Sequence, residues 1–274
     1  MIEAAAVAAR KSRRLSMVIS TVNSMPDTRK HRGPHPKDGI LFGDKAQTDL
    51  VQASVDYSWL LSRGYPPDAS LKLIGDRFQL TVRQRLAVRR GTCSQTQRCQ
   101  RRAKQACPDE IQGQRLAIDA FNLLTTVEAA FGGGVLLEGI DGCWRDMASM
   151  HGSYRRVAET IPAIEFIGRV LERLSPKHCT WLIDAPVSNS GRLRSMLLSA
   201  ADDQHWEWSV ELHPDPDTVL RDSSDIVCTA DSMILDGCPR WLNLARIALE
   251  GQRDRWWVVS FEIADTEFGA ENDS

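Results

Sequence analysis

The sequence predicts an α/β protein in which a small all-helical N-terminal domain precedes a mainly parallel, three-layer α/β/α domain. Apolar residues recur at helical spacing before residue 107, whereas short apolar runs alternate with helical segments after it. The net charge also changes sign there. Up to Cys107 the chain has 20 Lys and Arg and 8 Asp and Glu, whereas beyond Cys107 it has 14 Lys and Arg and 28 Asp and Glu. This asymmetry indicates one part suited to a polyanion and one rich in carboxylates.

The composition and the turn residues divide the chain into four parts. Residues 1–43 are polar and interrupted by Pro and Gly, which predicts a flexible arm. Residues 44–107 form the basic helical domain, residues 108–264 the acidic α/β domain, and residues 265–274 a frayed tail.

The helical domain begins with an apolar face that runs from Leu50 to Leu60 and stops near Gly64. A second helix starts at Pro67, a residue that suits a first turn. Thr81 caps a third helix, which Gly91 closes. Helices joined by short turns are typical of a helix-turn-helix-like unit.

A basic stretch extends from Arg77 to Lys104, with nine Lys and Arg and no acidic residue. Such a stretch is either a solvated basic face or a surface for phosphate groups. The missing counter-charges favour phosphate contact. Arg89 and Arg90 are therefore candidate phosphate-binding residues.

The α/β domain follows as strands that alternate with helices. Its predicted strands are "RLAID", "CTWLID", "DIVCTAD", an edge strand "WEWSVEL" and a last strand "RWWVVSFEI". The predicted helices are "NLLTTVEAAF", "ETIPAIEFIGRVLERL" and "GRLRSMLLSAADD". This β-α-β rhythm is typical of a parallel sheet covered by helices on both faces.

Three of these strands end in aspartate: Asp119, Asp184 and Asp231. Sites in open parallel sheets form at the carboxyl ends of the strands, so we expect these side chains to share one crevice. Like charges so close must raise their pKa values, pair with bases or bind a cation. Mg²⁺ or Mn²⁺, which prefer oxygen ligands, fit this arrangement. Each aspartate has an alternative role as a helix N-cap.

Two further acids and one amide are candidates for the same site. Asp141 directly precedes "GCWRD" and Asp146 ends it, in a connection that can fold over the crevice, so both are candidates as additional metal ligands. Asn122 follows Asp119 by three residues, so its amide can orient Asp119, bind a phosphate or cap the helix.

The loop "APVSNSGRLR" adds a candidate anion site. Ser188, Asn189 and Ser190 precede a helix, and Arg192 lies in its first turn. Small residues at a helix start expose main-chain N–H groups, and a nearby arginine favours an anion. The loop either cradles phosphate or only caps the helix.

Composition also argues against several classes of protein. No apolar run approaches the roughly 18 residues that a membrane span needs, so no membrane partner is expected. The seven cysteines are an odd number with irregular spacing, which predicts reduced thiols and a cytoplasmic location. Cys93, Cys99 and Cys107 lack the close pairing of zinc ligands.

Longer motifs resemble known families. The stretch "RGPHPKD…DYSWLLSRGYPPDASLKLIGDRFQLTVRQRLAVRRG" resembles the bacterial and archaeal domain of unknown function 434. "LAIDAFNLLTTVEAA", "DGCWRDMASMHGSYRRV", "LIDAPVSNSGRL" and "DSMILD" resemble its usual, uncharacterised C-terminal companion. More distantly, these acidic motifs are similar to PIN-like nucleases of the NYN branch.

The PIN-like resemblance implies a PIN-like fold in which Asp119, Asp184 and Asp231 hold Mg²⁺ or Mn²⁺ and RNA is cut. The chain departs from the NYN pattern at Asp231-Ser232, where that branch often has adjacent aspartates.

We therefore predict a metal-dependent ribonuclease or related phosphodiesterase. The helical domain would bind nucleic acid, with RNA favoured over DNA, and the aspartates would be catalytic. One alternative is a non-catalytic nucleic-acid-binding or regulatory protein, and another is a small-molecule phosphatase.

Overall fold

The computed structural model describes residues 31–148 and 154–262. Most of the predicted flexible arm and all of the predicted frayed tail (265–274) lie outside these residues. None of the helices in the described ranges is long and apolar enough to cross a membrane.

The N-terminal part is helical, as the sequence predicts. Its helices are α1 (Asp38–Leu41), α2 (Asp44–Ser62), α3 (Pro67–Arg77), α4 (Val82–Gly91) and α5 (Gln95–Lys104). Thr81 begins α4 with a capping box that it shares with Gln84, and Ser94 begins α5 in the same way with Gln97. The sequence prediction names α2, α3 and α4; α5 lies inside the basic stretch.

A parallel five-stranded sheet, in the order β5-β4-β1-β6-β7, forms the centre of the C-terminal part. Its strands are β1 (Arg115–Asp119), β4 (His178–Asp184), β5 (Trp208–His213), β6 (Ile226–Cys228) and β7 (Trp241–Leu242). Strand β5 lies at an edge, as predicted. Because β1 pairs with β4 on one side and β6 on the other, the strand order reverses there, and a crevice opens at the carboxyl ends.

Helices cover both faces of this sheet. They are α6 (Ala120–Phe131), α7 (Thr160–Leu174), α8 (Ser190–Gln204), α9 (Pro216–Arg221), α10 (Ser232–Gly237) and α11 (Leu244–Leu249). Leu116 and Ile118 of β1 pack into the core that includes α6, α7 and α8. Ala117, between them, faces the opposite core with α9 and α10. The predicted three-layer α/β/α arrangement is confirmed.

A second, three-stranded sheet has the order β3-β2-β8. Its strands are β2 (Val135–Glu138), β3 (Trp144–Asp146) and β8 (Trp257–Ser260), so the last predicted strand belongs to this sheet. Val135 and Leu137 of β2 pack with the N-terminal helices, whereas Leu136 packs into the core of the larger sheet. This small sheet thus joins the helical part to the rest of the molecule.

Residues 31–33 pack over the glycine turn after α6. A Cβ on Gly134 would lie 2.8 Å from the carbonyl oxygen of Arg32, and one on Gly132 would lie 2.8 Å from its carbonyl carbon. Gly133 has a φ of +73°, which favours glycine. The three glycines therefore let an earlier segment of the chain lie directly on this turn.

Candidate active site

A cleft of about 780 Å³ separates the N-terminal helices from the carboxyl edge of the five-stranded sheet. Tyr57, Arg89 and Arg90 lie on its helical wall. The carboxyl edge of the sheet contributes four aspartates, Asp119, Asp184, Asp217 and Asp231, which form the acidic wall. The cleft therefore combines arginines from the N-terminal helices with carboxylates from the edge of the sheet.

Asp119 lies at the end of the central strand β1 and begins α6. Its Oδ1 accepts a hydrogen bond from the main-chain N–H of Asn122 (3.3 Å), and its Oδ2 accepts one from the Thr229 hydroxyl (2.9 Å). Asp119 is therefore a helix cap and, at the same time, a half-buried carboxylate facing the cleft.

Asp231 and Asp184 reach the cleft from the strands on either side of β1. Asp231 follows β6 and caps α10, because its Oδ1 accepts from the N–H groups of Met233 (2.8 Å) and Ile234 (3.3 Å). Asp184 ends β4 and is half-buried. Capping and exposure to the cleft are thus compatible for Asp119 and Asp231.

Asp217 is an acidic residue of this wall that the sequence interpretation missed. It lies in α9, the helix that follows β5. Burial raises the pKa of Asp217, and the charges of Asp231, Asp215 and Asp184 raise it further. The strand-end reasoning used for the other aspartates would have found Asp217 if it had been extended to the edge strand.

Asp119, at the centre of the acidic wall, has a raised pKa. Burial raises the pKa of Asp119 to about 7, and the charges of Asp231 and Asp217 add to this, whereas the hydrogen bonds from Thr229 and Asn122 oppose it. Burial and Asp215 also raise the pKa of Asp184. Such a site gains stability when it takes up a proton or a cation.

The oxygen ligands of this wall suit Mg²⁺ or Mn²⁺ in type. However, no group of three or more His, Cys, Asp or Glu side chains in the described residues is arranged to hold a metal ion. Mg²⁺ commonly uses only one or two carboxylates and completes its shell with water and substrate phosphate. The donor set therefore fits an open two-carboxylate site rather than a closed metal cage.

The two other predicted ligands are held by different contacts. Asp146 lines the cleft, but its Oδ2 accepts from the hydroxyls of Thr125 (3.0 Å) and Thr126 (3.2 Å). Asp141 is buried between two arginines, Arg101 and Arg145. The structure does not bring Asp141 to the acidic wall.

Asn122 ties the first strand end to the third. Its side-chain Oδ1 accepts a hydrogen bond from the main-chain N–H of Ala230 (2.8 Å), while its own N–H donates to Asp119. This contact fixes the segment before Asp231 against α6. The amide oxygen of Asn122 is thus already used within the protein.

The predicted phosphate loop contributes Val187 to the main cleft, but its candidate anion-binding residues do not line that cleft. Asn189 has a left-handed conformation (φ 68°), and Asn189 and Arg192 line a second pocket. Ser190 donates its hydroxyl to the carbonyl of Ala185 (3.2 Å), and Ser188 is exposed. The structure therefore divides the predicted phosphate-binding residues between two places, with Arg89 and Arg90 in the main cleft.

The basic stretch has counter-charges that the sequence alone did not reveal. Acids outside the stretch pair with its arginines as Arg77–Asp56, Arg83–Asp38, Arg85–Asp76, Arg89–Asp68 and Arg101–Asp236. Arg90 donates to the carbonyl of Asp146 (2.8 Å). The reasoning from missing counter-charges was therefore wrong, although Arg89 and Arg90 still face the cleft.

Comparison with protein families assigns both parts of the chain. The family described as "Domain of unknown function (DUF5616)" matches residues 108–247, which include β1 to β7 and the acidic wall. The chain belongs to the DUF5616 family. "Protein of unknown function (DUF434)" matches residues 49–104, so the predicted resemblance to domain 434 is confirmed. The resemblance to PIN-like nucleases stays a prediction.

An uncharacterised protein of Methanocaldococcus jannaschii is similar to this DUF5616 protein. The two are 27% identical over 186 residues, which cover 68% of this chain and 88% of the archaeal protein. No solved structure matches the chain.

Proposed function

We propose that the cleft is the active site of a metal-dependent phosphodiesterase that acts on nucleic acid, with RNA favoured over DNA. The observation that carries this proposal is that four aspartates of the acidic wall line the same cleft as Arg89 and Arg90. Phosphodiester cleavage needs cationic groups at the phosphate and a means of activating water. The two walls offer side chains for both tasks.

Asp119 and Asp231 are the residues that would hold the ion, since the charge of Asp231 already acts on Asp119. When bound, the ion would lower the pKa of water and neutralise charge on the phosphate. Thr229 and the main-chain N–H of Asn122 orient the Asp119 carboxylate. Arg89 and Arg90 contribute positive charge from the helical wall.

Substitution of the central carboxylate tests this proposal. Asp119→Asn keeps an oxygen that can cap α6 and places an amide N–H beside the Thr229 hydroxyl, which can accept it. The fold should therefore survive. We expect the wild-type protein to cleave labelled single-stranded RNA with Mn²⁺ or Mg²⁺, and Asp119→Asn to lose at least 100-fold in rate, as expected for an essential group (on the order of 3 kcal/mol).

Asp203→Asn is the matched control, because Asp203 is an exposed residue near the end of α8 and also loses one negative charge. It should cleave at the wild-type rate. Cleavage that persists in Asp119→Asn or in excess EDTA would refute the proposal.

A second candidate function is nucleic-acid binding without cleavage. The observation that favours it is the lack of a three-ligand metal group among the described residues. In that case RNA binding should weaken with salt, yet be unaffected by EDTA and by Asp119→Asn. A binding assay beside the cleavage assay separates the two functions.

A further inference from the structure

A second pocket, of about 360 Å³, lies where the segment after residue 153 meets the start of α8. The residues that line it are Tyr154, Arg155, Arg156, Asn189, Arg192 and Met196. Three of these six carry a guanidinium group, and within the described part of the chain no acidic residue lines the pocket. Guanidinium groups bind phosphate oxygens through paired N–H donors.

The pocket has a fixed wall, because Tyr154 is anchored on both its side chain and its main chain. The buried Tyr154 hydroxyl donates to Oε1 of Glu128 (2.5 Å), and Glu128 also forms an ion pair with Arg32. The main-chain N–H of Tyr154 donates to the carbonyl of Ser188 (3.1 Å), and its carbonyl accepts from Nδ2 of Asn189 (2.8 Å).

These contacts hold the segment that begins at Tyr154 against the segment that contains Ser188 and Asn189. The arginines of the pocket therefore extend from two segments whose main chains are joined by hydrogen bonds. Arg156 and Arg192 are both exposed, one on each segment. Their side chains can therefore approach a ligand from two sides without first breaking the anchoring contacts.

The pocket and the acidic cleft share one loop. Asp184 and Val187 line the cleft, and Asn189 lines the second pocket. Two successive tight turns connect them, since Val187 N–H donates to the Asp184 carbonyl (3.2 Å) and Ser190 N–H donates to the Val187 carbonyl (3.1 Å). Each such turn brings its ends within roughly 7 Å. A chain of linked phosphates can thus reach both places.

We infer that this pocket is a second subsite, which binds another phosphate group of the nucleic acid strand whose scissile phosphodiester lies in the acidic cleft. The inference deepens the proposed function and rests on it for the identity of the ligand. Because its donors are guanidinium groups, the subsite recognises the phosphate rather than a base. It would set the position of the strand along the cleft.

The test removes one arginine from each segment. Arg156→Ala/Arg192→Ala is compared with Arg169→Ala/Arg173→Ala, which removes the same charge from exposed positions on α7. Binding of a fluorescent 12-nucleotide RNA is measured in EDTA, so that no cleavage occurs, at several salt concentrations. A third variant, Arg156→Lys/Arg192→Lys, keeps the charge.

We expect the pocket variant to bind at least 10-fold more weakly than the control variant. The slope of log affinity against log salt should become shallower by about 0.7, since the pocket holds one phosphate and each phosphate contact on a single strand contributes about 0.7. The lysine variant should keep the slope. Inorganic phosphate and a 5′-phosphorylated mononucleotide should each compete with RNA for the pocket of the wild-type protein. RNA should in turn displace both ligands.

The outcomes separate the two proposals. Equal RNA binding by the pocket and control variants would overturn the subsite, whatever the cleavage assay shows. Loss of mononucleotide binding without loss of RNA binding would also overturn it, because the pocket would then serve a free nucleotide. If wild-type protein binds RNA through the pocket but never cleaves it, the phosphodiesterase assignment fails and the phosphate subsite stands. Unfolding curves for all variants identify any that are misfolded.

Discussion

Asp119 and Asp141 have opposite electrostatic surroundings. Asp141 is 2% exposed and accepts from Nη1 (2.8 Å) and Nη2 (2.7 Å) of Arg145 and from Nη1 of Arg101 (2.7 Å). Burial alone raises the pKa of Asp141, but Arg145 and Arg101 outweigh it and hold that pKa well below its usual range. At Asp119 burial raises the pKa to about 7, and the neighbouring carboxylates of Asp231 and Asp217 add to this effect.

Burial raises the pKa of both aspartates, and the comparison shows that the neighbouring charges then decide whether this effect is reversed, as at Asp141, or reinforced, as at Asp119. Asp141 has its charge satisfied, and through Arg101 it joins α5 to the loop between β2 and β3. Asp119 lines the cleft, and the carboxylates near it add to the rise in its pKa that burial causes. The first residue is suited to stability and the second to binding a cation or a proton.

Removal of the Asp141 charge should produce the largest change in the free energy of unfolding. Asp141→Asn leaves the buried guanidinium groups of Arg101 and Arg145 without their shared counter-charge. We expect the free energy of unfolding to fall by about 3–5 kcal/mol, the usual cost of breaking a buried pair by loss of one partner. Chemical denaturation at pH 5.5 measures this.

Asp119→Asn under the same conditions is the counterpart. At pH 5.5 the folded protein keeps the Asp119 proton, whereas the unfolded chain has already lost it, so the amide replacement should not destabilise the protein and should raise the free energy of unfolding by about 1 kcal/mol. Equal losses in the free energy of unfolding for Asp141→Asn and Asp119→Asn would mean that the two carboxylates contribute equally to stability.

The pH dependence of stability should reveal the raised pKa of Asp119. The folded protein keeps this proton up to about pH 7, whereas the unfolded chain loses it near pH 3.8. The resulting stability is fully present below about pH 4 and is lost as the pH rises through 7. Relative to Asp119→Asn, wild-type protein should therefore lose about 2 kcal/mol between pH 4 and pH 8, a value reduced for solvent screening at a half-buried group.

The measurement is a series of denaturant titrations in EDTA for wild type and Asp119→Asn. A difference between the two that stays constant from pH 4 to pH 8 would show that the pKa of Asp119 is ordinary.

Binding of a divalent cation should produce the smallest change in the stability of the folded state. A ligand at about ten times its dissociation constant stabilises the folded state by about 1.4 kcal/mol. We expect Mg²⁺ or Mn²⁺ to raise the midpoint of thermal unfolding of wild type and of Asp203→Asn, but not of Asp119→Asn. An equal rise in all three proteins would place cation binding away from the acidic wall.

Part of this arrangement could be predicted from the sequence. The aspartates at the ends of β1, β4 and β6 follow short apolar runs, and parallel strands necessarily bring their carboxyl ends to one edge. Helix starts such as Thr81 were equally predictable, because a capping box is a local interaction.

Interactions between distant segments could not be predicted in this way. The counter-charge of Arg101 comes from Asp141 and Asp236, which lie 40 and 135 residues away. For the same reason, the sequence does not reveal that β8 pairs with β2, which lies more than 100 residues earlier, rather than with a strand of the five-stranded sheet. Short-range patterns carry no information on such pairings, so Asp141 and Asp146 could not be told apart from Asp119.

The strap formed by residues 31–33 has a consequence for synthesis of the protein. Arg32 pairs with Glu128, which is 96 residues later in the chain. At roughly 5–20 residues per second, a ribosome makes Arg32 about 5–20 s before its partner. The strap therefore docks late, over the finished glycine turn. A shortened protein that starts after Arg32 would leave the fully buried Glu128 without its arginine, so we expect its yield in the cell to fall.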